Sequence, residues 1–131
     1  MARKRSATLT EAEYPIMDVL WTKGPSSVAE VVAGLPDTPA YNTILTLLRI
    51  LEQKGYVRHK ESGRAFIYRA VVEREDAQRE AVDHMVSRFF NNKPSDLVLN
   101  LLESEKLDDA ELLRLRKLID SARSSEGKSI E

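Results

Sequence analysis

The sequence has no cysteine, which removes disulfide frameworks, thiolate zinc sites, iron–sulfur clusters and cysteine nucleophiles together. It also lacks any long hydrophobic run: stretches such as residues 97–102 are far too short to span a bilayer. The basic start, Met1-Ala2-Arg3-Lys4-Arg5, is followed by no apolar stretch fit for the core of a secretion signal, so the chain is expected to stay in the cytoplasm. No phosphate-cradling glycine loop, H-E-x-x-H or G-x-S-x-G occurs. His59 and His84 sit in no recognisable nucleophilic arrangement, and Glu80 with His84, at i and i+4, reads as a solvated helix pair rather than a metal grip. No catalytic residue, metal or cofactor is therefore expected. Charge excess is missing too: 20 Lys and Arg stand against 21 Asp and Glu over 131 residues, a net charge of -1. As a total, that argues against a nucleic-acid partner or an anionic membrane, which usually call for a basic surplus.

What is present suits a soluble globular chain, with 42% hydrophobic and 31% charged residues, long enough for one domain or a small domain with an appendage. Residues 1–8 are expected to form a flexible basic arm. Thr10 and Glu13 have capping-box spacing, and Leu9 with Tyr14 that of a hydrophobic staple, before Ile16, Val19 and Leu20 recur at helical period. Pro15 falls near the fifth helical position, which predicts a kink or a late start. Ser27 and Glu30 repeat the capping box ahead of Val28, Val31, Val32 and Leu35, a short second helix. Thr38-Pro39 reads as a cap followed by proline at the first position of a third helix. That helix is the clearest element: Ile44, Leu47, Leu48 and Leu51 stand at i, i+3, i+4 and i+7, and Lys54-Gly55 stops it. The period then changes. Tyr56-Val57-Arg58-His59-Lys60 and Ala65-Phe66-Ile67-Tyr68-Arg69, joined by Glu61-Ser62-Gly63-Arg64, predict a β-hairpin with a four-residue loop.

From Glu73 the chain reads as helical. Val82, Met85, Val86 and Phe89 form one apolar stripe, broken by Asn91-Asn92-Lys93-Pro94. Ser95-Asp96 is placed to cap a helix with Leu97, Val98, Leu101 and Leu102, and Asp108 with Glu111 to cap another with Leu112, Leu115, Leu118 and Ile119. Three amphipathic helices in some fifty residues have little to bury their stripes in, and each Leu or Phe left wet forgoes about 1.5–3 kcal/mol. A second copy of the chain is the economical cover, so Val82, Met85, Phe89, Leu97, Leu101, Leu112, Leu115 and Ile119 are expected at a dimer interface. The boundaries expected are 9–71 for the first domain, 72–123 for the helical one and 124–131 for a disordered tail.

Counting charge by segment reverses the opening inference. Residues 1–70 hold ten Lys/Arg against seven Asp/Glu, net +3, and residues 71–131 hold ten against fourteen, net -4. The first half puts Arg3, Lys4 and Arg5 on the arm, Arg49 on the polar face of the third helix, and Arg58, Lys60, Arg64 and Arg69 in or beside the hairpin. Each base that neutralises a phosphate adds salt-dependent affinity. Thr38, Tyr41, Asn42, Thr43 and Thr46 add hydrogen-bonding groups at the N-terminal end of that helix, where a helix-turn-helix reads the major groove. The competing reading of the same residues is a solvated helix face beside a generic exposed hairpin.

Leu9-Thr10-Glu11-Ala12-Glu13 and Met17-Asp18-Val19-Leu20-Trp21 resemble the opening of the BlaI/MecI/CopY family of penicillinase-type repressors. Ala40-Tyr41-Asn42-Thr43-Ile44-Leu45-Thr46-Leu47-Leu48 is similar to that family's recognition helix. Leu51-Glu52-Gln53-Lys54-Gly55-Tyr56-Val57 with Gly63-Arg64-Ala65-Phe66-Ile67-Tyr68 resembles its helix end and wing, and Ser95-Asp96-Leu97-Val98-Leu99-Asn100 its dimerisation segment. The resemblance, from about Leu9 to Ile119, implies a mainly α fold: a winged helix of three helices and a β-hairpin wing, followed by a helical dimerisation domain. It implies a homodimer that represses transcription, in an antibiotic response, from a pseudo-palindromic double-stranded DNA operator. Asn42, Thr43 and Thr46 match the positions that face the major groove, and Arg64 the wing tip that meets backbone or minor groove. Leu45 and Arg49 depart from residues that some relatives carry, so an operator sequence does not carry over; Pro15 is also unlike the family's usual residue. The copper-sensing chemistry of one branch needs C-terminal cysteines, and this chain has none.

In the β-lactam-responsive branch, a membrane sensor metalloprotease leads to cleavage within the dimerisation domain. The matching bond is Asn100-Leu101, although Leu101 replaces an aromatic residue there. A cut would detach the last helix and with it the gain from linking two half-site readers. Two alternatives stand beside it: residues 97–102 as a plain interface helix, and a winged-helix regulator answering to a small-molecule effector in an apolar pocket, without cleavage.

Overall fold

In the computed structural model, which describes residues 8–130 and their side chains as far as Ser125, Thr10 and Glu13 form the reciprocal cap their spacing predicts. The Thr10 N–H donates to Glu13 Oε1 at 2.9 Å and the Glu13 N–H to Thr10 Oγ1 at 3.2 Å. Helix α1 (Tyr14–Lys23) begins one turn later, so Pro15 falls in its first turn, where a missing N–H costs nothing. The late start replaces the kink. Arg3, Lys4 and Arg5 of the expected arm lie outside the described residues.

Strand β1 (Ser26–Ser27) leads into α2 (Val28–Gly34), whose N-cap Ser27 and Glu30 make both bonds of a capping box. Helix α3 (Tyr41–Lys54) starts three residues beyond the expected cap at Thr38. Asp37 and Thr38 both take left-handed backbone, φ 66° and 41°, and Ala40 is the N-cap without a side-chain bond. A left-handed residue cannot have the extended backbone that an N-cap needs, which is why Thr38 does not serve. At the other end Gly55, φ 91°, ends the helix in the left-handed conformation that glycine adopts without penalty.

The hairpin is tighter than expected. Strands β2 (Val57–Ser62) and β3 (Ala65–Ala70) pair from Val57↔Ala70 to Ser62↔Ala65, leaving a two-residue turn of Gly63 and Arg64. Gly63, φ 63°, holds the first central position, where such turns favour glycine. β1 adds to the far edge of β3 through Ser26↔Tyr68 and Ser27↔Ile67, giving an antiparallel sheet in the order β1-β3-β2. Three helices and this sheet make a winged helix.

One core joins these elements: Ile16, Met17 and Leu20 from α1, Val31 from α2, Ile44, Leu48 and Leu51 from α3, and Tyr56, Val57 and Tyr68 around the sheet. Val72 and Ala77 belong to the same core, so helix α4 (Arg74–Phe89) begins as part of this unit. Glu13 is buried, and Lys54 compensates its charge at 2.8 Å while also donating to the Thr8 carbonyl at 3.3 Å. A buried carboxylate needs such a partner, and this pair ties the start of α1 to the end of α3.

The chain divides into two compact units between Met85 and Val86, within α4. In the second unit α4 ends with Asn91 and Asn92 in left-handed backbone, and α5 (Pro94–Glu103) follows. Lys93, not Ser95 or Asp96, is its N-cap, because Pro94 already has the φ of the first helical position. Helix α6 (Asp109–Ile130) does begin at the expected box: the Asp108 N–H donates to Glu111 Oε1 and the Glu111 N–H to Asp108 Oδ1. It continues to Ile130, through the stretch expected as a tail, with no proline to stop it. Among the described residues no helix is long and apolar enough to cross a membrane.

Candidate nucleic-acid interface

Helix α3 separates its residues cleanly. Ile44, Leu48 and Leu51 are buried, while Tyr41, Asn42, Thr43, Thr46 and Arg49 are exposed, as is Thr38 in the turn before it. Asn42, Thr46 and Arg49 stand at i, i+4 and i+7 and so form one stripe along the helix. Within the described residues, Asn42, Thr43 and Thr46 make no side-chain hydrogen bond, leaving an amide and two hydroxyls open to an outside partner. An amide of this kind matches the paired donor and acceptor of an adenine edge, and threonine offers both hydroxyl and methyl. Leu45 behaves differently: half-buried, it packs against the core.

The wing presents cations. Arg64 sits exposed at the turn, and Arg58, Lys60 and Arg69 are exposed along the strands. Arg58 pairs directly with Arg69 across β2 and β3, a like-charge pairing that costs stability in the free protein and that a polyanion relieves. Strand alternation puts Val57, His59, Phe66 and Tyr68 on the opposite face. There the His59 ring lies 4.9 Å from that of Phe66 and 5.2 Å from that of Tyr68, and His59 Nδ1 is 2.6 Å from Glu52 Oε1 on α3. Burial pushes the Tyr68 phenol above its ordinary pKa. The Glu52–His59 contact, which joins wing to α3, has no signature in the sequence, because the two residues belong to different periodicities.

Between α2, α3 and the wing lies a cleft of about 280 Å³, lined by Val28, Ala29, Tyr41, Leu45, Arg64 and Phe66. The structure thus brings Tyr41 of the helix and Arg64 of the wing to one concavity, with aromatic and cationic groups on its rim. Phe66 was not among the expected contacts, and its 39% exposure in a strand is the signal that marks it.

The apolar residues expected at a dimer interface are largely uncovered. Val82, Met85, Phe89, Leu101, Leu112 and Ile119 are exposed, Phe89 to 73%, while Leu97 and Leu115 are half-buried. In the second unit α5 and α6 enclose an apolar groove of about 400 Å³, to which Leu112, Leu115 and Ile119 contribute along with Val98, Leu102 and Leu118. Leu97 and Leu101 are not part of its lining. The Asn100-Leu101 bond lies inside α5 on its exposed side, and the Asn100 carbonyl accepts a helical bond from the Ser104 N–H at 3.1 Å. In the first unit Glu80 accepts from the Tyr56 hydroxyl at 3.4 Å, an interaction that the Glu80–His84 spacing does not reveal.

Comparison with known proteins bears on the whole of this arrangement. The penicillinase repressor family matches residues 9–121. The penicillinase repressor of Bacillus licheniformis is 29% identical over 119 residues, covering 89% of this chain and 93% of its own. The methicillin resistance regulatory protein MecI of Staphylococcus aureus strain N315 is 25% identical over 114 residues, covering 86% and 93%. A solution structure of monomeric B. licheniformis BlaI in complex with the blaP half-operator is 30% identical, with a TM-score of 0.47 over 56% of this chain and 93% of that one. Because the family match spans residues 9–121, from the cap at Thr10, through α3 and the wing, into the middle of α6, this chain belongs to the penicillinase repressor family, which comprises transcriptional repressors rather than enzymes.

Proposed function

We propose that this chain is a homodimeric transcriptional repressor that places α3 in the major groove of each half of a pseudo-palindromic operator. The observation that carries this reading is the exposed stripe of Asn42, Thr46 and Arg49, beside Tyr41 and Thr43, with its hydrogen-bonding groups unused and the cations of the wing alongside. Asn42, Thr43 and Thr46 read base edges; Arg49 and Arg64 hold phosphates, as do Arg3, Lys4 and Arg5. Thr38 and Tyr41 contact the backbone at the groove edge. The exposed leucines of α5 and α6, with Val82, Met85 and Phe89 of α4, support self-association. The test is footprinting on the DNA upstream of the protein's own coding region. Two protected half-sites related by a dyad are expected, and an unprotected region at saturating protein overturns the reading.

Release from DNA by a membrane sensor metalloprotease fits the same architecture, since a cut at Asn100-Leu101 removes α6 and its share of the apolar groove. The helical bond that holds the Asn100 carbonyl favours a second reading, release by a small-molecule effector without cleavage, because a protease needs this turn unfolded first. Incubation with the cognate protease separates the two. A product beginning at Leu101 supports cleavage; an intact chain, with a thermal shift on adding the inducing molecule, supports the effector.

A further inference from the structure

The sheet of the winged helix has an outer face that contact between α3 and a half-site leaves unused. Strand alternation turns Arg58 and Lys60 of β2, Ile67 and Arg69 of β3 and Ser27 of β1 away from α3 and the core. Arg58, Lys60 and Arg69 are exposed, and Arg58 stands directly opposite Arg69. Glu61, the one acidic residue of the three strands, belongs to the inner face, opposite Phe66. Other cations of the same unit are paired: Arg74 Nη1 donates to Asp18 Oδ1 at 2.6 Å, and Lys54 meets Glu13 at 2.8 Å. Among the described residues, Arg58, Lys60 and Arg69 have neither a hydrogen bond nor an ion pair through their side chains.

Two like charges set opposite each other across a ladder destabilise a hairpin, and no described neighbour offsets this pair. An anion from outside does. The chemistry of the face narrows its kind. Among the strand residues of the face, the one large apolar side chain, Ile67, is half-buried. A protein partner needs apolar or aromatic anchors at the centre of its contact. A phosphate backbone needs only positive charge, and the arginine fork fits its oxygens.

We propose that Arg58, Lys60 and Arg69 form a second DNA surface, which holds backbone phosphates of the duplex flanking each half-site. This inference rests on the operator reading above. Helix α3 lies on one side of the sheet, these cations lie on the other, and Arg64 stands at the turn between them. A duplex read by α3 that runs on past the wing therefore presents its next phosphates to the outer face. Phosphate contacts carry no sequence information, so this surface adds affinity and salt dependence whatever the flanking sequence.

The test uses the full chain and two duplexes, read by fluorescence anisotropy over a range of salt. One is the footprinted dyad trimmed to its half-sites; the other carries about ten further base pairs, one helical turn, at one end. Wild type is expected to bind the longer duplex about tenfold more tightly, with a salt slope steeper by about two to three ions. Arg58→Gln with Arg69→Gln should remove about two of those ions and most of the gain, while binding the trimmed dyad within about twofold of wild type. Its melting temperature should equal or exceed that of wild type, because the like-charge pair is gone. Arg58→Lys with Arg69→Lys keeps the charge and should keep most of the gain. A wild type that gains nothing from the added turn overturns the inference. So does an equal loss on both duplexes, which puts the two arginines inside the half-site contact. A folded glutamine variant that retains the full gain also overturns it and leaves the face to an acidic protein. A wild type that binds the trimmed dyad no better than a scrambled duplex defeats the operator reading itself.

Discussion

Ile16, Met17, Val31, Leu48 and Leu51 are wholly hidden in the winged-helix unit, whereas α5 buries no residue and Leu113, Leu118 and Ile119 of α6 are each more than half exposed. Both regions contain amphipathic helices, and both carry leucine stripes. They differ in whether one chain supplies a cover. In the first unit α1, α2, α3 and the sheet close over a shared centre; in the second, α5 and α6 shield only part of each other. A leucine stripe therefore means core in one place and interface in the other, and the deciding fact is the number of elements that topology brings to it.

The sharpest way to break this comparison is to truncate a leucine on each side. Leu48→Ala leaves a cavity in a closed core and is expected to destabilise the chain by about 2–5 kcal/mol in urea unfolding. Leu118→Ala removes an exposed side chain and should change monomer stability by no more than about 0.5 kcal/mol, while weakening self-association in sedimentation. Equal losses of stability at the two sites would show the second unit to be closed by its own chain. Next in size is truncation after Asn100. The remaining chain keeps all of the winged-helix core and should stay folded, yet become monomeric at micromolar concentration and bind a full palindrome about 100-fold more weakly. A truncated protein that remains dimeric would transfer the interface to α4 and α5.

The two regions also differ in how far the sequence alone revealed them. Helix α3 was legible because Ile44, Leu48 and Leu51 keep one period that only a buried face explains, and Gly55 marks its end. All three capping boxes, Thr10–Glu13, Ser27–Glu30 and Asp108–Glu111, were legible because each is complete within four residues. Strand β1 was not: two serines carry no pattern, and their pairing with Ile67 and Tyr68 depends on a backbone forty residues away. The start of α3 was misplaced because Thr38-Pro39 satisfies the local rule while the left-handed turn at Asp37 and Thr38 overrides it. At the candidate site, the exposed polar stripe followed directly from helical period. The Glu52–His59 bridge and the Arg74–Asp18 pair did not, since spacing says nothing about contacts made between elements.

Charge offers a smaller test of the same contrast. Arg49→Ala and Arg64→Ala, both in the net-positive half, should each reduce the salt dependence of operator binding by about one ion and together weaken it roughly tenfold at moderate salt. Arg116→Ala in α6, exposed and in the net-negative half, should leave both quantities unchanged. If Arg116→Ala flattens the salt slope as much as the wing variant does, phosphate contacts extend to the second unit and the division of labour fails.

The smallest expected effect comes from the motif the two regions share. Ser27→Ala removes an N-cap whose helix delivers Val28 and Val31 to the core and whose own backbone pairs with β3, so the loss, about 1 kcal/mol, is felt by the whole winged-helix unit. Asp108→Ala removes the same kind of cap from a helix with no buried residue in its first turns, and should fray that end of α6 without moving the main transition. The Ser27 box also has a pH signature. Hydrogen bonds from the Ser27 backbone and side chain hold the Glu30 carboxyl below its ordinary range. Its contribution is therefore complete above the unfolded pKa and is lost as pH falls through the lower folded value. The melting-temperature gap between wild type and Glu30→Gln should close on acidification for that reason. A gap that persists into strong acid would mean that shape rather than charge holds the cap, and that the two boxes differ only in what their helices bury.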